Sequence, residues 1–254
     1  MNTSRGDIIF KYYRADIHIH SCLSPCGDWR MGPKDIAEKS REAGLDIIAV
    51  CDHNSAENAG AVMRAGANAG LTVLPGMEIC SKEEVHVLAL FETLSQALQM
   101  QQFVYAGLPG KNQPDVWGMQ VVANESNEVL GENDRLLIGA TALDLYAIVD
   151  QIHMLDGLCI ASHVDRPAFS VIGNLGFIPG DLAFDALEVS WRVPLNQAGQ
   201  HVPGIDGFPC VTSSDAHFLE DIGRAWTRFF LAGPGVDEIR MALSGKNNRS
   251  IGEA

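Results

Sequence analysis

The sequence has no long apolar segment and few positive charges. Its longest strongly apolar runs, residues 47–51 and 85–91, are much shorter than the ~20 residues that a membrane-spanning helix needs. Residues 1–7 carry no apolar stretch typical of a secretion signal, so we expect a cytoplasmic protein without a membrane partner. Only 18 lysines and arginines stand against 32 acidic residues, a net charge of -14. Because this charge repels phosphate backbones, we expect no long nucleic acid as a partner.

Internal repeats, low-complexity segments and Ser/Pro-rich linkers are also absent from the sequence. Its 254 residues are 46% hydrophobic and 20% charged, which is the composition of an ordinary globular protein. We therefore expect a single domain over residues 1–254. The six cysteines occur in a long chain without a secretion signal, which predicts free thiols or metal ligands and not disulfides. Nothing in the sequence indicates an oligomeric state.

Short β-rich runs alternate with segments of helical period, which predicts an α/β protein with a largely parallel sheet, either open or closed into a barrel. Helices are expected over 33–43 and 143–155. Residues 92–142 break the alternation, and within them 119–123 and 128–130 flank the turn sequence Asn-Glu-Ser-Asn. This pattern predicts an insertion that contains a hairpin. The predicted strands are residues 15–19, 45–51, 72–74, 85–91, 158–162, 186–190, 209–212 and 227–231.

Histidines and carboxylates collect at the predicted C-terminal ends of these strands, where parallel α/β folds place ligands and catalytic groups. His18 and His20 alternate with isoleucines, so both imidazoles should project from one face and bind one ion. Asp215 and His217 repeat this spacing. Six histidines and two carboxylates exceed what one four-coordinate ion needs, which predicts more than one Zn, Mn or Fe ion. The metal-ligand candidates are His18, His20, His53, Glu78, His86, His163, Asp215 and His217.

Arg166 is the candidate for binding a phosphate group. It follows His163 by three residues, and a guanidinium there could hold phosphate with two parallel hydrogen bonds. The alternative is an ordinary surface ion pair. Two further histidines, His153 in a helical stretch and His201 in a predicted loop, are given no site role.

The ordered set of motifs resembles the PHP (polymerase and histidinol phosphatase) family over about residues 15–230. The resemblance implies a distorted (β/α)7 barrel with a metal site at the C-terminal ends of its strands, commonly with three ions that hydrolyse phosphate esters. The motifs are Asp16-x-His18-x-His20-Ser21, Asp52-His53, Gly76-Met77-Glu78, Val85-His86-Val87-Leu88, Ala161-Ser162-His163 and Ser214-Asp215-Ala216-His217. The resemblance implies that one ion is held by His18, His20, Glu78 and Asp215. Glu78 would also bridge to a second ion, held by His86 and His163, and a third ion would be held by His53 and His217.

One loop departs from the family pattern. Many members carry an Asp or His ligand in a Ser-Asp-Gly-like loop after the first motif, whereas residues 24–28 here read Ser-Pro-Cys-Gly-Asp. Either Cys26 or Asp28 could supply that ligand. A Cys26 thiolate would favour Zn or Fe over Mn. The alternative is that Cys26 only fits a tight turn.

We expect a freestanding phosphoesterase in which two or three divalent ions (Zn, Mn or Fe) activate water. Its substrate would be small and phosphorylated, whether a phosphomonoester, a nucleotide or a short oligonucleotide. Glu78, Asp215 and Arg166 are the catalytic candidates, and Arg166 also binds substrate. Asp16 and Asp52 are expected to accept hydrogen bonds from metal-bound imidazoles. The alternatives are a non-catalytic or regulatory metal-binding domain of the same family, and an amidohydrolase, although no lysine is placed to bridge two ions as a carbamate.

Overall fold

The structure, a computed structural model, describes residues 8–252. The strands are β1 (Lys11–Ile19), β2 (Ile47–Val50), β3 (Thr72–Cys80), β4 (His86–Leu90), β5 (Val121–Ala123), β6 (Val129–Glu132), β7 (Leu158–Ala161), β8 (Ala186–Ser190), β9 (Cys210–Ser213), β10 (Thr227–Leu231) and β11 (Ser250–Ile251). The helices are α1 (Pro33–Glu42), α2 (Ala59–Ala69), α3 (Leu94–Gly107), α4 (Pro114–Trp117), α5 (Leu145–Met154), α6 (Val171–Leu175), α7 (Ala198–His201) and α8 (Val236–Leu243). None of the helices in this part of the chain is long and apolar enough to cross a membrane.

Nine strands form one curled sheet in the order β11-β10-β1-β2-β3-β4-β7-β8-β9. The pairs β1–β2, β2–β3, β7–β8 and β8–β9 are parallel. In contrast, β4 is antiparallel to both of its neighbours, and β10 is antiparallel to β1 and β11. The expectation of a largely parallel sheet is therefore wrong, because half of the pairings are antiparallel.

The curl of the sheet brings the C-terminal end of β9 next to the C-terminal end of β1. The main-chain N–H of His20 donates to the carbonyl of Ala216 at 2.9 Å, and a parallel bridge joins Ile19 to Ala216. Contact at this end of the strands, beyond β9, gives a partly closed barrel. The predicted α/β fold with a distorted barrel is confirmed.

Strand β3 runs on past the point where the sequence pattern predicts its end. Pro75 and Gly76 interrupt the apolar run, yet Pro75 pairs with Val50 of β2 and Gly76 pairs with Leu90 of β4. A side chain at Gly76 would place its Cβ 2.7 Å from the carbonyl oxygen of Ala89, so only glycine allows this approach. The continuation places the later residues of β3 inside the sheet.

The direction of β4 corrects the expected position of His86. This residue is the first of β4 and pairs with Cys80, the last residue of β3. His86 therefore lies at an N-terminal strand end. It reaches the same edge as the other candidate ligands because β4 runs in the opposite direction to its neighbours.

Two hydrophobic layers pack on the faces of the first strands. Ile17 belongs to the apolar cluster that contains Ala49 and Leu88, whereas Ile19 belongs to the cluster that contains Ile36 of α1 and Val50. Strict alternation along β1 would place both isoleucines on one face of the strand. The pairing of β1 with β2 shifts register between Asp16 and Ile19, and this irregularity interrupts strict alternation along β1.

The segment 92–142 begins with an ordinary core helix. Thr93 caps α3 through a reciprocal pair of hydrogen bonds with Gln96, and α3 buries one face in the core beside β3 and β4. The chain then forms α4 and the β5–β6 hairpin. The main-chain N–H of Val121 donates to the carbonyl of Cys22 at 3.0 Å, while the buried Asn58 side chain donates to Val121 and accepts from Ala123. The hairpin is thus fixed to the loops that follow β1 and β2.

Candidate metal centre

The six predicted histidines and two predicted carboxylates lie together at one edge of the sheet. Seven of the eight residues are buried, and the eighth, His217, is partly exposed. His18 and His20 come from the end of β1, Glu78 from β3, His86 from the start of β4, and His53, His163, Asp215 and His217 from the turns after β2, β7 and β9. The strand ends therefore bring together side chains that are up to 199 positions apart in the sequence.

The first group of donor atoms has the spacing of ligands around a single ion. The Nε2 atoms of His18 and His20 are 3.1 Å apart, and each lies 3.3 Å from Oδ1 of Asp215. Ligands about 2.0 Å from a tetrahedral Zn²⁺ stand roughly 3.3 Å from one another. These three residues could hold a divalent ion, since their donor atoms all lie within 4.8 Å of one another.

Glu78 is the centre of a second group. Its Oε1 atom lies 3.0 Å from Nδ1 of His86 and 3.1 Å from Nε2 of His163, and its Oε2 atom lies 3.2 Å from Nδ1 of His53. Oε1 is also 3.5 Å from Nε2 of His18. The buried Nδ1 atom of His86 makes no hydrogen bond of normal geometry, as expected of an atom placed to bind a metal.

A third group consists of His20, His53 and His217, whose nitrogen atoms lie within 4.8 Å of one another. The grouping differs in part from that implied by the family resemblance, because His53 faces Glu78 and His86 as well as His217. His20 and His53 each belong to two groups. The arrangement is one continuous cluster of donors that could hold metal ions.

The charges of the cluster depend on burial and on neighbouring groups. Burial opposes a charge on His18, but Glu188 and nearby carboxylates outweigh it and raise the pKa of His18 well above its usual value. Burial lowers the pKa of His20 to about 4. Burial also disfavours the Glu78 carboxylate, but His86 and other imidazoles hold its pKa well below the usual range. Metal ligands must be deprotonated, so His20 and Glu78 have the form that a metal ion requires at neutral pH.

Glu188 is a site residue that the sequence analysis missed. It is buried on β8, and its two carboxylate oxygens lie 3.0 and 3.2 Å from Nδ1 of His18. It also accepts the main-chain N–H of His163 at 3.1 Å. Because Nδ1 of His18 donates to this carboxylate, Nε2 is the nitrogen of His18 that would bind a metal ion after losing its proton. The signal in the sequence was a charged residue in the middle of the apolar strand Ala-Leu-Glu-Val-Ser.

Asp52 and Asp16 were expected to accept hydrogen bonds from imidazoles, but both bond to other groups. Asp52 accepts the hydroxyl proton of Ser24 at 2.7 Å, and the same Ser24 oxygen lies 3.0 Å from Nδ1 of His20. The Ser24 proton is used in this bond, so Nδ1 of His20 donates and its Nε2 atom is free for a metal. Within residues 8–252, Asp16 makes no hydrogen bond to an imidazole; it accepts the main-chain N–H of Ser214 at 2.9 Å. It therefore positions the turn after β9 and not a ring.

Two candidate ligands, His163 and Asp215, adopt a backbone conformation that is uncommon for residues other than glycine. His163 has a φ angle of 30° and Asp215 a φ angle of 50°. Such conformations cost free energy and persist only where surrounding contacts enforce them. Here the hydrogen bonds of the neighbouring main chain to Glu188 and Asp16 fix both turns.

A cavity of about 490 Å³ opens beside the cluster. Asp215 and His217 line it, together with Arg166, which donates to Oδ2 of Asp215 through Nη2. Cys26 also lines this cavity and is exposed. The Asp28 carboxylate instead pairs with Arg30, with 3.0 Å between Oδ2 of Asp28 and Nη2 of Arg30. Of the two residues considered for the extra ligand, Cys26 is the one that faces the cavity.

The two histidines without an assigned role lie apart from the cluster. His153 is on α5 and lies 3.1 Å from the carboxylate of Asp185. His201 is exposed at the end of α7, in a helix where a loop was expected.

Comparison with known sequences identifies the family. The PHP domain matches residues 16–170, which is more than half of the chain. The chain belongs to the PHP family. A second match, to the PHP-associated C-terminal region, covers residues 206–247 and includes the ligand motif after β9. The predicted family resemblance is confirmed.

One relative and several solved structures resemble this PHP chain. YqxK, an uncharacterized protein of Bacillus subtilis strain 168, is 25% identical over 240 residues, which cover 85% of this chain and 56% of that protein. The lesion-specific endonuclease PfuEndoQ from Pyrococcus furiosus has a TM-score of 0.66 and 20% identity, over 95% of this chain and 58% of the endonuclease chain. The chain thus spans little more than half the length of these proteins.

Two further structures have the same fold. Endonuclease Q in complex with a 27-mer duplex substrate with an abasic lesion has a TM-score of 0.68 and 22% identity, over 95% of this chain and 58% of that one. A proposed metal-dependent phosphoesterase from Bifidobacterium adolescentis has a TM-score of 0.51 and 18% identity, over 80% of this chain and 87% of that one. At these identities the likeness is one of fold, and the PHP chain has a phosphoesterase-like fold.

Proposed function

We propose that this chain is a metal-dependent phosphoesterase that hydrolyses a phosphate ester of a small substrate. The observation that carries the proposal is the convergence of six imidazoles with Glu78 and Asp215 beside a cavity that contains Arg166. Packing alone would not place so many buried titratable groups in mutual contact, because each would need its own hydrogen-bond partner.

Three sets of residues would hold divalent ions in this proposal. His18, His20 and Asp215 would form one site, and Glu78 with His86 and its neighbours a second. The partly exposed His217 would contribute to a third site at the cavity. Zn, Mn or Fe ions would supply positive charge for the phosphate oxygens and a water of lowered pKa.

Asp215 connects the donor cluster to Arg166 in the cavity. The Oδ1 atom of Asp215 faces His18 and His20, while its Oδ2 atom accepts from Arg166. The guanidinium therefore lies next to the proposed ion site. From there it can bind a phosphate oxygen and stabilise the charge that develops on it.

Net charge and structural likeness point to different substrate sizes. The charge of -14 disfavours long polyanions, which supports a small phosphate ester. The structure of endonuclease Q with a DNA duplex supports the inclusion of nucleic acid among the substrates tested.

The first experiment combines elemental analysis with two assays, phosphate release from monoesters and strand cleavage of nucleic acids. The purified chain would be offered phosphomonoesters, nucleotides, short oligonucleotides and a duplex with an abasic site, with Mn²⁺ or Zn²⁺ added. We expect two or three ions per chain and metal-dependent release. His20→Ala and Asp215→Ala should abolish hydrolysis and lower the metal content, while the control His201→Ala should retain both. No bound metal and no hydrolysis after reconstitution would favour a non-catalytic domain of this family.

A further inference from the structure

Trp191 is a large aromatic side chain at the wall of the cavity beside the cluster, where the substrate phosphate is proposed to lie. It is the first residue after β8 and is 42% exposed. It lines the cavity of about 490 Å³ together with Arg166, Asp215 and His217. It also lines a second cavity, of about 740 Å³, with Leu195 and other apolar residues. An indole at this place borders both the proposed phosphate position and the space beyond it.

The turn that carries Trp191 is held by the segment that carries Arg166. Asp165 accepts the main-chain N–H of Ser190 at 2.7 Å and its hydroxyl proton at 2.6 Å. Ser190 in turn accepts the N–H of Arg192 at 3.4 Å. The main chain that carries Trp191 is thus held beside the segment that carries Arg166.

Like Arg192, whose guanidinium carbon lies 5.3 Å from the centre of the Trp191 ring, Arg224 lies against the indole. Its guanidinium carbon lies 4.4 Å from the centre of the Trp191 ring. Its Nε and Nη2 atoms donate to the carbonyl of Ser214 at 3.0 and 2.9 Å, and its Nη1 atom pairs with Asp221 at 2.9 Å. Because these donors are already engaged, Arg224 holds the aromatic ring in place by a cation–π contact and is not available to clamp phosphate.

From this arrangement we propose that Trp191 is a stacking surface for a planar ring on the leaving group of the substrate. The inference rests on the proposed phosphoesterase function and names its substrate class, the phosphate ester of a nucleoside. The phosphate would lie at Arg166 and the base against the indole, since nucleobases stack on aromatic side chains whatever their hydrogen-bonding pattern. Arg224 is then a positioning residue that acts through Trp191.

The test compares two phosphomonoesters, adenosine monophosphate and glycerol phosphate, on the metal-reconstituted full chain. The quantity of interest is the ratio of their kcat/KM values. Trp191→Ala should lower this ratio about tenfold or more, mainly through a higher KM for the nucleotide, because base stacking contributes roughly five- to a hundredfold in affinity. Trp191→Phe should restore most of the ratio. The matched control is Trp29→Ala, since Trp29 is 80% exposed and lines neither cavity.

Calorimetric binding of adenosine monophosphate gives a readout that does not depend on turnover, and Trp191→Ala should weaken it by a similar factor. An unchanged ratio and unchanged binding in this variant would overturn the proposal, as would a wild-type chain that hydrolyses glycerol phosphate and rejects the nucleotide. Hydrolysis of neither ester, with nucleotide binding that still depends on Trp191, would instead overturn the phosphoesterase function and keep the stacking site. A trinucleotide with a terminal phosphate, added as a third substrate, identifies whether a free nucleotide or an oligonucleotide end supplies the base.

Discussion

At the residue scale, Glu188 contacts the candidate ligand His18 without belonging to the cluster of donors that could hold an ion. Glu188→Gln keeps the size of the side chain but removes the charge that accepts from Nδ1 of His18. Loss of such an outer partner typically lowers metal affinity tenfold to a hundredfold, and we expect a decrease of about that size here. Competition with a chelator of known affinity measures it.

The matched control for this substitution is Glu132→Gln on the exposed strand β6. Its metal affinity should equal that of the wild type. If Glu188→Gln also binds metal as tightly as the wild type, His18 is held in position by packing alone.

Arg166 has two partners in the proposed mechanism, the Asp215 carboxylate and the substrate phosphate. Arg166→Ala should raise KM, lower kcat or both, and leave the metal content unchanged. Arg166→Lys should recover only part of the activity, because an ammonium group cannot make two parallel hydrogen bonds to phosphate. Steady-state kinetics and elemental analysis of the same preparations test both statements, with Arg64→Ala on α2 as control. Kinetics equal to those of the wild type would remove Arg166 from the site.

At the scale of secondary-structure elements, Glu238 joins α8 to its surroundings. Its carboxylate accepts two hydrogen bonds from Arg249, at 2.9 and 2.6 Å, and one from the main-chain N–H of Ala232. The Arg249 side chain lowers the pKa of Glu238 below its usual value of 4.5. A carboxyl group with a lowered pKa in the folded state stabilises the protein fully above its unfolded pKa. This stabilisation is lost as the pH falls through the folded value.

Glu238→Gln should therefore lower the free energy of unfolding by about 1 kcal/mol at neutral pH. The difference from the wild type should shrink as the pH falls below the usual carboxyl pKa of 4.5 and through the lowered pKa of the folded state. Urea unfolding at a series of pH values measures the difference. A difference that stays constant down to acid pH would show that the ionised form of Glu238 contributes nothing.

The sequence predicted the positions of most strands but not their directions. Residues 86–90 read as a strand from their apolar run, yet such a run is the same in a parallel and in an antiparallel pairing. The path of β3 through Pro75 and Gly76 was missed for a similar reason. Proline and glycine have a low propensity for strands, but pairing with β2 and β4 keeps these two residues in an extended strand.

The candidate site was easier to predict than the sheet, because the ligand types occur in recognisable pairs such as His18 with His20. Its supporting residues were harder to find. Glu188 lies 170 positions from His18, and only the fold shows that the two side chains touch. Asp16 occurs inside the first motif but faces the turn after β9.

At the scale of the whole molecule, the buried charged cluster should couple metal binding to stability. We propose that the chain folds as one domain, so thermal unfolding should show a single cooperative transition. Ions at about 100 times their Kd add about 2.7 kcal/mol to the folded state. For a chain of this length, that raises Tm by roughly 5–10 °C.

Differential scanning calorimetry with and without a chelator tests this prediction. His20→Ala should lose most of the metal-induced increase in Tm, and His201→Ala should keep all of it. Two separate transitions would contradict the single-domain proposal. A Tm that does not respond to metal would contradict binding at the cluster.

The antiparallel pairing of β3 with β4 also affects the order in which the site is assembled during synthesis. Glu78 and His86 lie on two strands joined by residues 81–85, so their contact is local and needs little loop closure. Asp215 and His217 leave the ribosome much later, because translation proceeds from the N-terminus. A nascent chain that has emerged only as far as β4 already contains five of the eight donor residues. In the proposed metal-binding role, these five residues could bind an ion before the barrel closes, and the last turn would then fold around it.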